Sequence, residues 1–295
     1  MPKLSELGNS DAVDSAFAAR TIIYVEANAD SDVFARIVGM SAMRRLDFKA
    51  PLADGGGYSA VCAQVKAERA AGNPRVFGLV DGEAAASLGG LPQLVSASNA
   101  IFPLPNYDGI FCLAEHELEN LMVQHGDICR HLLKDVELAK LSSRSLPDIE
   151  KTLKDLTRRF FVAAILKYAA LNLRHHGQLY HPVNVERFQD PKANLKTILG
   201  ALKAIIVSAG LDWKVFVRQV FEITRSLRQR LRDEGASDLQ RDLHLLRLAD
   251  GKGLLKRMRS DYKASKGMEG HLVSGLVNSA YAGIFRQEIL TAVAA

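Results

Sequence analysis

Short apolar runs alternate with amphipathic stretches over the first third of the chain. Thr21–Val25 is β-branched and aromatic, as buried strands are, and Asp30–Leu46 places apolar residues at helical spacing. The alternation continues, with strands predicted over 47–52, 75–80, 100–104 and 109–113 and helices over 58–71 and 116–125. This pattern predicts an α/β fold with a mainly parallel β-sheet flanked by helices.

From about residue 126 onward, the apolar spacing is almost entirely helical. Helices are predicted over 146–173, 194–209, 212–232, 238–248, 254–263 and 279–293, with candidate linkers over 175–182 and 233–237. The pattern therefore predicts a large α-helical region. It divides the chain into a sheet domain over 1–125, a helical domain over 126–240, and C-terminal helices over 241–295 that pack back on the sheet domain.

Composition excludes several classes of protein. The 295 residues are 48% apolar and 24% charged, which is enough apolar surface for a core and excludes a disordered chain. No apolar run approaches the roughly 20 residues of a membrane span, and the first residues lack a secretory pattern, so we expect a cytoplasmic protein with no membrane contact. Cys62, Cys112 and Cys129 are too widely spaced for a disulfide framework or zinc site. The net charge of +5 favours an anionic partner such as nucleic acid.

Acidic residues directly follow two of the predicted strands. Glu26 follows TIIYV with Asp30 four residues later, and Asp81 follows RVFGLV with Glu83 two residues later. Because the carboxyl ends of parallel strands share one edge of a sheet, we expect these carboxylates to meet there. Such oxygens bind Mg²⁺, and without a cation they would repel one another. The pattern predicts a divalent-cation site, although Asp30 alone would equally serve as a cap of the following helix.

These segments resemble the motifs of a known domain family. YVEANADSDVF is similar to the VEG-x-x-D motif of Toprim domains, and LVDGE is similar to their D-x-D motif. IFCLAEHELENLM (110–122) and LADGKGLLKRM (248–258) resemble stand-alone Toprim-like nucleases related to the OLD family, including the nuclease subunits of PARIS anti-phage systems. The likeness covers about 1–125 and 248–258, and the helical middle is similar in character only.

The resemblance implies a role for each acidic residue. Glu26 corresponds to the glutamate that acts as general acid/base or metal ligand, and Asp81 and Glu83 correspond to the pair that binds Mg²⁺ or Mn²⁺. Asp30 would support them, and Glu119 is the candidate for completing a second metal site.

Lys252 of the D-G-K segment is the candidate for neutralising charge on the phosphate in the transition state. Two positions depart from the family pattern. Ala27 replaces the glycine of VEG, which restricts how closely a phosphate approaches the backbone. Glu83 is one methylene longer than aspartate, which allows a shifted or single-metal geometry.

Basic residues cluster around the D-G-K segment. A nuclease must hold the phosphate backbone, and an aromatic ring among the basic residues can stack on a base. A solvated helix face would have the same composition. The residues predicted to contact nucleic acid are Arg247, Lys256, Arg257, Arg259, Tyr262 and Lys263.

The resemblance implies a metal-dependent endonuclease that is the toxic effector of a bacterial anti-phage, abortive-infection system. Its expected substrate is host RNA, with tRNA first and DNA as the alternative. The expected partners are an AAA or ABC-type ATPase that sequesters the nuclease and a second copy of the chain in an active homodimer, with 212–232 as a candidate interface. Two other interpretations stay open: a catalytically degenerate Toprim-like subunit that only binds an ATPase, and an α/β phosphotransfer domain with a nucleophilic Asp81.

Overall fold

A computed structural model describes residues 20–51, 56–138, 145–175, 195–233, 243, 245–262, 264 and 267–294. The predicted linkers over 175–182 and 233–237 fall almost wholly outside these residues. Most of the helix predicted over 238–248 also lies outside them, and its described end, Leu245–Leu248, is a 3-10 helix.

The described strands form one five-stranded, mainly parallel sheet. In chain order they are β1 (Thr21–Tyr24), β2 (Leu46–Lys49), β3 (Val76–Val80), β4 (Ile101–Pro103) and β5 (Ile110–Leu113). Their order across the sheet is β2-β1-β3-β5-β4. Every neighbouring pair is parallel except β4 and β5. The predicted α/β class and mainly parallel sheet are confirmed.

The antiparallel edge strand follows from its short connection. Only the residues 104–109 separate β4 from β5, which is too short for a parallel crossover and sufficient for a hairpin. Asn106 and Gly109 have φ values of 66° and 71° in this turn, and asparagine and glycine adopt such values most easily.

Helices lie between the strands of the described chain and make up most of the described residues after β5. They are α1 (Asn28–Met43), α2 (Gly57–Ala70), α3 (Gly82–Ser87), α4 (Leu91–Ser96), α5 (Leu118–His125), α6 (Ile128–Leu138), α7 (Leu146–His175), α8 (Leu195–Ser208), α9 (Trp213–Asp233), α10 (Gly251–Tyr262), α11 (Met268–Val277) and α12 (Ala280–Ala292). The large helical region is confirmed. The sequence pattern did not predict α3, α4, α6 and α11 individually. The first two are six residues long, which is too short to show a helical repeat.

The long helix α7 and the C-terminal helices pack around the sheet and its helices. Helix α7 contacts α3 and the 3-10 helix Leu245–Leu248, while α10 and α11 contact α5, and α12 contacts α1. These contacts bring residues from distant parts of the chain to the carboxyl ends of β1, β3 and β5. The domain boundaries at 125 and 240 stay a prediction.

The apolar stripe predicted over 212–232 faces mostly inward. Phe216, Ile223 and Leu227 of α9 are buried, whereas Phe221 is 69% exposed. None of the described helices combines the length and apolarity needed to cross a membrane. Cys62, Cys112 and Cys129 are free thiols, so the prediction that they form no disulfide framework is confirmed.

Candidate metal centre

The first two acidic segments meet at the carboxyl ends of β1 and β3. Glu26 lies between β1 and α1, and Asp81 lies between β3 and α3. The main-chain N–H of Asp81 donates a hydrogen bond of 2.9 Å to Glu26 Oε1. Asp30, in the first turn of α1, accepts a hydrogen bond of 3.1 Å from the main-chain N–H of Ala27 at Oδ2. Asp30 therefore does both things that the sequence allowed: it caps the helix and it lies beside the other acids.

Ala27 causes no backbone strain at the position where the family motif has glycine. Its φ of −143° and ψ of 158° are ordinary extended values that any residue adopts. The side chain is small and exposed. The backbone conformation at Ala27 is therefore the same that glycine could adopt, and the methyl group is the difference that a ligand approaching the backbone would meet.

Glu83 reaches the site because Gly82 allows a close approach between two loops. Gly82 N donates to Glu115 O at 2.9 Å, and Glu83 N donates to His116 O at 3.2 Å. A β-carbon on residue 82 would overlap with the carbonyl oxygen of Glu115. The glycine of D-G-E thus joins the end of β3 to the segment that follows β5, and it places Glu83 beside His116.

A third group of polar residues follows β5. His116 is 1% exposed and Glu117 is 8% exposed, and both lie before the first residue of α5. His116 Nδ1 lies 2.8 Å from the hydroxyl oxygen of Tyr168 on α7. One oxygen or nitrogen atom from each of Glu83, His116 and Glu117 lies within 4.8 Å of the other two, a spacing that suits a metal ion.

Lys167 of α7 also enters this group. Its Nζ donates a hydrogen bond of 2.7 Å to Glu83 Oε1 and lies 3.5 Å from His116 Nε2. The side chain is 35% exposed, so the ammonium lies at the boundary between the protein and the solvent. The long helix of the helical region therefore contributes a cation to the site.

Lys252 contacts two acidic residues, Glu117 and Glu119, that follow β5. Its main-chain N–H donates to Glu117 Oε2 at 3.0 Å, and its Nζ lies 3.4 Å from Glu117 Oε1 and 4.0 Å from Glu119 Oε2. The side chain is 63% exposed. The start of α10 is fixed there because Asn120 Nδ2 donates to the carbonyl oxygens of Leu246 and Ala249. Lys252 of the D-G-K segment thus lies in the same site as the predicted acids. Its ammonium is closer to Glu117 than to Glu119, the acid that the sequence had suggested.

Burial and mutual repulsion govern the charge of the acids. Burial, followed by the negative charges of Glu26 and Asp30, raises the pKa of Asp81 well above its ordinary value. Burial also raises the pKa of Glu26, and the charge of Asp30 adds to this effect. The pKa values of Asp30 and Glu119 are raised by burial as well, and in both cases Lys252 opposes the shift.

Around Lys167, in contrast, the pKa values of Glu83 and His116 are lowered. Burial alone would raise the pKa of Glu83, but His116 and the hydrogen bond from Lys167 lower it below its ordinary value. Burial, with the charge of Lys167, lowers the pKa of His116 to about 3, so the imidazole is neutral near pH 7. Partial burial opposes the charge of Lys252, but Glu119 and Glu117 raise its pKa above the ordinary value.

The donor set fits a hard divalent cation. Carboxylate oxygens are the side-chain ligands that Mg²⁺ and Mn²⁺ prefer. Within the described part of the chain, no lysine or arginine nitrogen lies within 4.0 Å of the carboxylate oxygens of Glu26, Asp30 or Asp81. Lys252 compensates these carboxylates only from beyond that distance, and a cation bound among them would reduce their mutual repulsion.

Two residues predicted to contact nucleic acid are buried, and the prediction is wrong for them. Arg247 is 4% exposed, and its guanidinium donates to the carbonyl oxygens of Ala114 and Ala97. Tyr262 is fully buried on the inner face of α10, where its ring cannot stack on a base. Arg247 thereby attaches the 3-10 helix before α10 to the sheet domain.

The other predicted nucleic-acid contacts differ in availability. Lys256 is exposed. Arg257 forms an ion pair of 2.9 Å with Asp261, and Arg259 forms one of 2.7 Å with Glu269. Lys263 lies outside the described residues. The structure therefore leaves Lys256 and the partly exposed Arg257 as basic groups on the outer face of α10.

Sequence reasoning missed Glu117 and Lys167 as members of the site, and it left His116 open between a place beside the active site and a capping or buried role. His116 and Glu117 come three and four residues after the end of β5, farther from their strand than Asp81 is from β3, and the strand-end argument extended over that loop would have found them. No signal in the sequence marks Lys167, because its place depends on how α7 packs.

Comparison of the chain with protein-family models, with curated proteins and with solved structures found no match to any of them.

Proposed function

We propose that this chain is a divalent-metal-dependent phosphodiesterase, a nuclease of the Toprim type. The observation that carries the proposal is the meeting of Glu26 and Asp81 through a hydrogen bond of 2.9 Å at the carboxyl ends of two parallel strands. Glu83 and Lys252 lie at the same edge, so the residues of three separate motifs converge. Glu26, Asp30 and Asp81 are the residues that would hold the cation, and Glu83, paired with Lys167, lies beside them.

The side chains supply what phosphodiester hydrolysis requires. A bound Mg²⁺ or Mn²⁺ polarises the phosphate and activates a nucleophile near neutral pH. Glu26 accepts a hydrogen bond from the Asp81 amide through Oε1, which leaves Oε2 for a cation or a proton, and burial raises its pKa above the ordinary value. The ammonium of Lys252 is exposed and anchored by Glu117, so it can contact a phosphate oxygen.

The biological part of the proposal rests on the motif resemblance. It assigns the chain to an anti-phage system as a toxic effector that cleaves host RNA, tRNA first, after release by an ATPase partner. Activity as a homodimer is part of the same proposal. The positive net charge and the exposed Lys256 support nucleic acid as the substrate. DNA is the alternative substrate for the same chemistry.

A second candidate function is a degenerate regulatory subunit that only binds an ATPase. The ion pair between Glu83 and Lys167 favours it, because one predicted metal ligand is already neutralised by a side chain. The two candidates differ in whether Glu26 is needed for strand cleavage.

The test is cleavage of total cellular RNA and plasmid DNA, side by side, by the purified protein with Mg²⁺ or Mn²⁺. Glu26→Gln is the active-site variant, since glutamine can still accept the Asp81 amide. Asp32→Asn is the matched control, because Asp32 is an exposed acid on α1, the helix that follows Glu26. We expect cleavage of RNA that EDTA and Glu26→Gln abolish and Asp32→Asn leaves unchanged.

A chain that requires release by its partner would be inactive when purified, so toxicity in cells is measured as well. Growth arrest by the wild type and by Asp32→Asn, with none by Glu26→Gln, supports the nuclease. Equal growth of all three strains, together with no cleavage in vitro, would refute the enzymatic proposal and leave the regulatory subunit.

A further inference from the structure

The residues of the site form two groups, here called halves, which differ in how closely a lysine approaches their acids. One half contains Glu83 and His116, which belong to the ends of β3 and β5. The other half contains Glu26, Asp30 and Asp81, which belong to the ends of β1 and β3. Two-metal nucleases place their cations about 3.5–4 Å apart, one on each side of the reacting phosphate. Whether each half takes a metal therefore decides the number of cations in the proposed enzyme.

The Glu83–His116 half already contains a cation that belongs to the protein. Lys167 Nζ lies 2.7 Å from Glu83 Oε1 and 3.5 Å from His116 Nε2. Glu83 and His116 are both members of the three-residue group that would suit a metal ion. A metal bound to the same glutamate oxygen at about 2.1 Å would lie close to the ammonium, and the two positive charges would repel each other.

The contacts of the two ring nitrogens of His116 fit a lysine neighbour. A nitrogen that accepts an N–H from Lys167 must be the unprotonated one, so His116 carries its proton on Nδ1 and donates it to the hydroxyl oxygen of Tyr168 at 2.8 Å. Tyr168 follows Lys167 on α7, and both residues are therefore positioned by the same turn of helix. Lys167 has three N–H donors and two protein acceptors here, so the third donor is available for a phosphate oxygen.

The Glu26–Asp81 half has no cation of the described residues in direct contact, and the charge of Lys252 acts on its carboxylates from farther away. Lys252 pairs with Glu117 and Glu119, and no lysine or arginine nitrogen of the described residues lies within 4.0 Å of the carboxylates of Glu26, Asp30 or Asp81. Glu26 and Asp81 are directly connected by the hydrogen bond between Oε1 and the amide. A divalent cation should therefore bind more strongly in this half than in the Glu83–His116 half.

We propose that Lys167 is the resident cation of the Glu83–His116 half, and that the site takes one divalent cation, in the Glu26–Asp81 half, rather than two. This inference rests on the proposed metal-dependent function and specifies its metal content. The helical region thereby takes part in the site, because α7 supplies the charge that a second metal would otherwise bring.

The test counts Mn²⁺ on the purified full chain by electron paramagnetic resonance and examines the bound ion for coupling to a histidine nitrogen. We expect one Mn²⁺ per wild-type chain without nitrogen coupling, since no histidine belongs to the Glu26–Asp81 half. Lys167→Met should bind a second Mn²⁺, with nitrogen coupling from His116. Lys167→Arg keeps the charge and should stay at one.

A double variant locates the second ion. Lys167→Met combined with Glu83→Gln should return to one Mn²⁺ per chain. Thermal unfolding checks that each variant folds, and Lys167→Gln replaces Lys167→Met if the methionine variant does not. Because the wild-type count and its nitrogen coupling need no variant, the inference can be refuted even if every Lys167 variant fails to fold.

The outcomes separate the two proposals. Two Mn²⁺ in the wild type, or one with nitrogen coupling, would overturn the role of Lys167 while leaving a metal-dependent nuclease intact. A single ion in both the wild type and the folded Lys167→Met variant would also overturn it. No bound Mn²⁺ in the wild type would refute the metal-dependent function itself, and the inference with it.

Discussion

Gly82 lies so close to the carbonyl oxygen of Glu115 that a β-carbon at residue 82 would overlap with that oxygen. The same pair is joined by a hydrogen bond of 2.9 Å from Gly82 N to Glu115 O. This contact ties the end of β3 to the segment after β5, and the neighbouring bond from Glu83 N to His116 O depends on it. The glycine between the two acids of D-G-E is therefore required by packing.

We predict that Gly82→Ala destabilises the protein by about 1–3 kcal/mol, because the added methyl forces the two loops apart. The matched control is Gly270→Ala in α11, where a β-carbon meets nothing within 4 Å. Alanine there should stabilise the helix by about 0.5–1 kcal/mol. Urea unfolding measures both. Equal stability of the two variants would show that the loops yield to the methyl group.

Glu26 has a structural role that two substitutions can separate from its proposed chemical one. Glu26→Gln retains an oxygen for the Asp81 amide, so its stability should stay within about 0.5 kcal/mol of the wild type. Glu26→Ala leaves that amide without its acceptor and should lose about 1–3 kcal/mol. Both variants should lose Mn²⁺ affinity. If Glu26→Gln unfolds as easily as Glu26→Ala, the hydrogen bond does not stabilise the strand ends.

Ionisation of Asp81 is unfavourable in the metal-free protein. Its carboxyl group lies near Glu26 and Asp30, whose charges oppose its ionisation. We predict that Asp81→Asn raises the free energy of unfolding of the metal-free protein by about 0.5–2 kcal/mol, since it removes a repelling charge. Added Mn²⁺ should raise the melting temperature of the wild type and leave that of Asp81→Asn unchanged. A destabilised Asp81→Asn protein in EDTA would contradict this account.

The sheet and two of its acidic segments were predictable because they depend on local pattern. β1, β3 and β5 are short apolar runs, and the acids that follow β1 and β3 must lie at one edge of a parallel sheet. The segment after β5 was treated as the start of a helix, whereas α5 begins only at Leu118. His116 and Glu117 are therefore loop residues at a strand end.

Tertiary packing decided the features that sequence could not supply. Lys167 joins the site only because α7 lies against α3 and the 3-10 helix. The number of basic residues in a segment does not show which of them face the solvent. Arg247 was therefore assigned to the nucleic-acid surface although it is buried. The position of Tyr262 was available in the sequence, since it continues the apolar spacing of Leu254 and Met258 along α10.

We expect replacement of Arg247 to lower the stability of the protein and replacement of Lys256 to lower its affinity for RNA. Arg247→Met removes the donors to the carbonyl oxygens of Ala114 and Ala97, and we expect a loss of about 1–3 kcal/mol in stability. Lys256→Gln should change stability by less than about 0.5 kcal/mol.

Lys256→Gln should instead weaken RNA binding uniformly across sequences and reduce the slope of log affinity against log salt by about 1. Fluorescence anisotropy at several salt concentrations measures this slope, and thermal unfolding measures the stability of both variants. A stable Arg247→Met protein with weakened RNA binding would restore the original assignment of Arg247 to the nucleic-acid surface.

Tyr24 should make the stability of the sheet depend on alkaline pH. Its hydroxyl donates a hydrogen bond of 2.5 Å to Glu68 Oε1, which ties β1 to α2. Burial, with this hydrogen bond and the charge of Glu68, raises the pKa of Tyr24 from 10.0 to about 12. A group whose pKa is higher in the folded state contributes its full stability below the unfolded value. That contribution should therefore be present below pH 10 and be lost as the pH rises to about 12.

Tyr24→Phe tests this assignment. The variant should be less stable than the wild type by about 0.5–1.5 kcal/mol at pH 8, because it lacks the hydrogen bond to Glu68. The difference between the two proteins should shrink between pH 10 and 12, as the wild type loses the contribution that the variant never had. Tyr107→Phe, at an exposed position, should follow the wild-type curve. Urea unfolding across this range measures all three proteins, and a difference between Tyr24→Phe and the wild type that stays constant to pH 12 would show that Tyr24 ionises no differently in the folded chain.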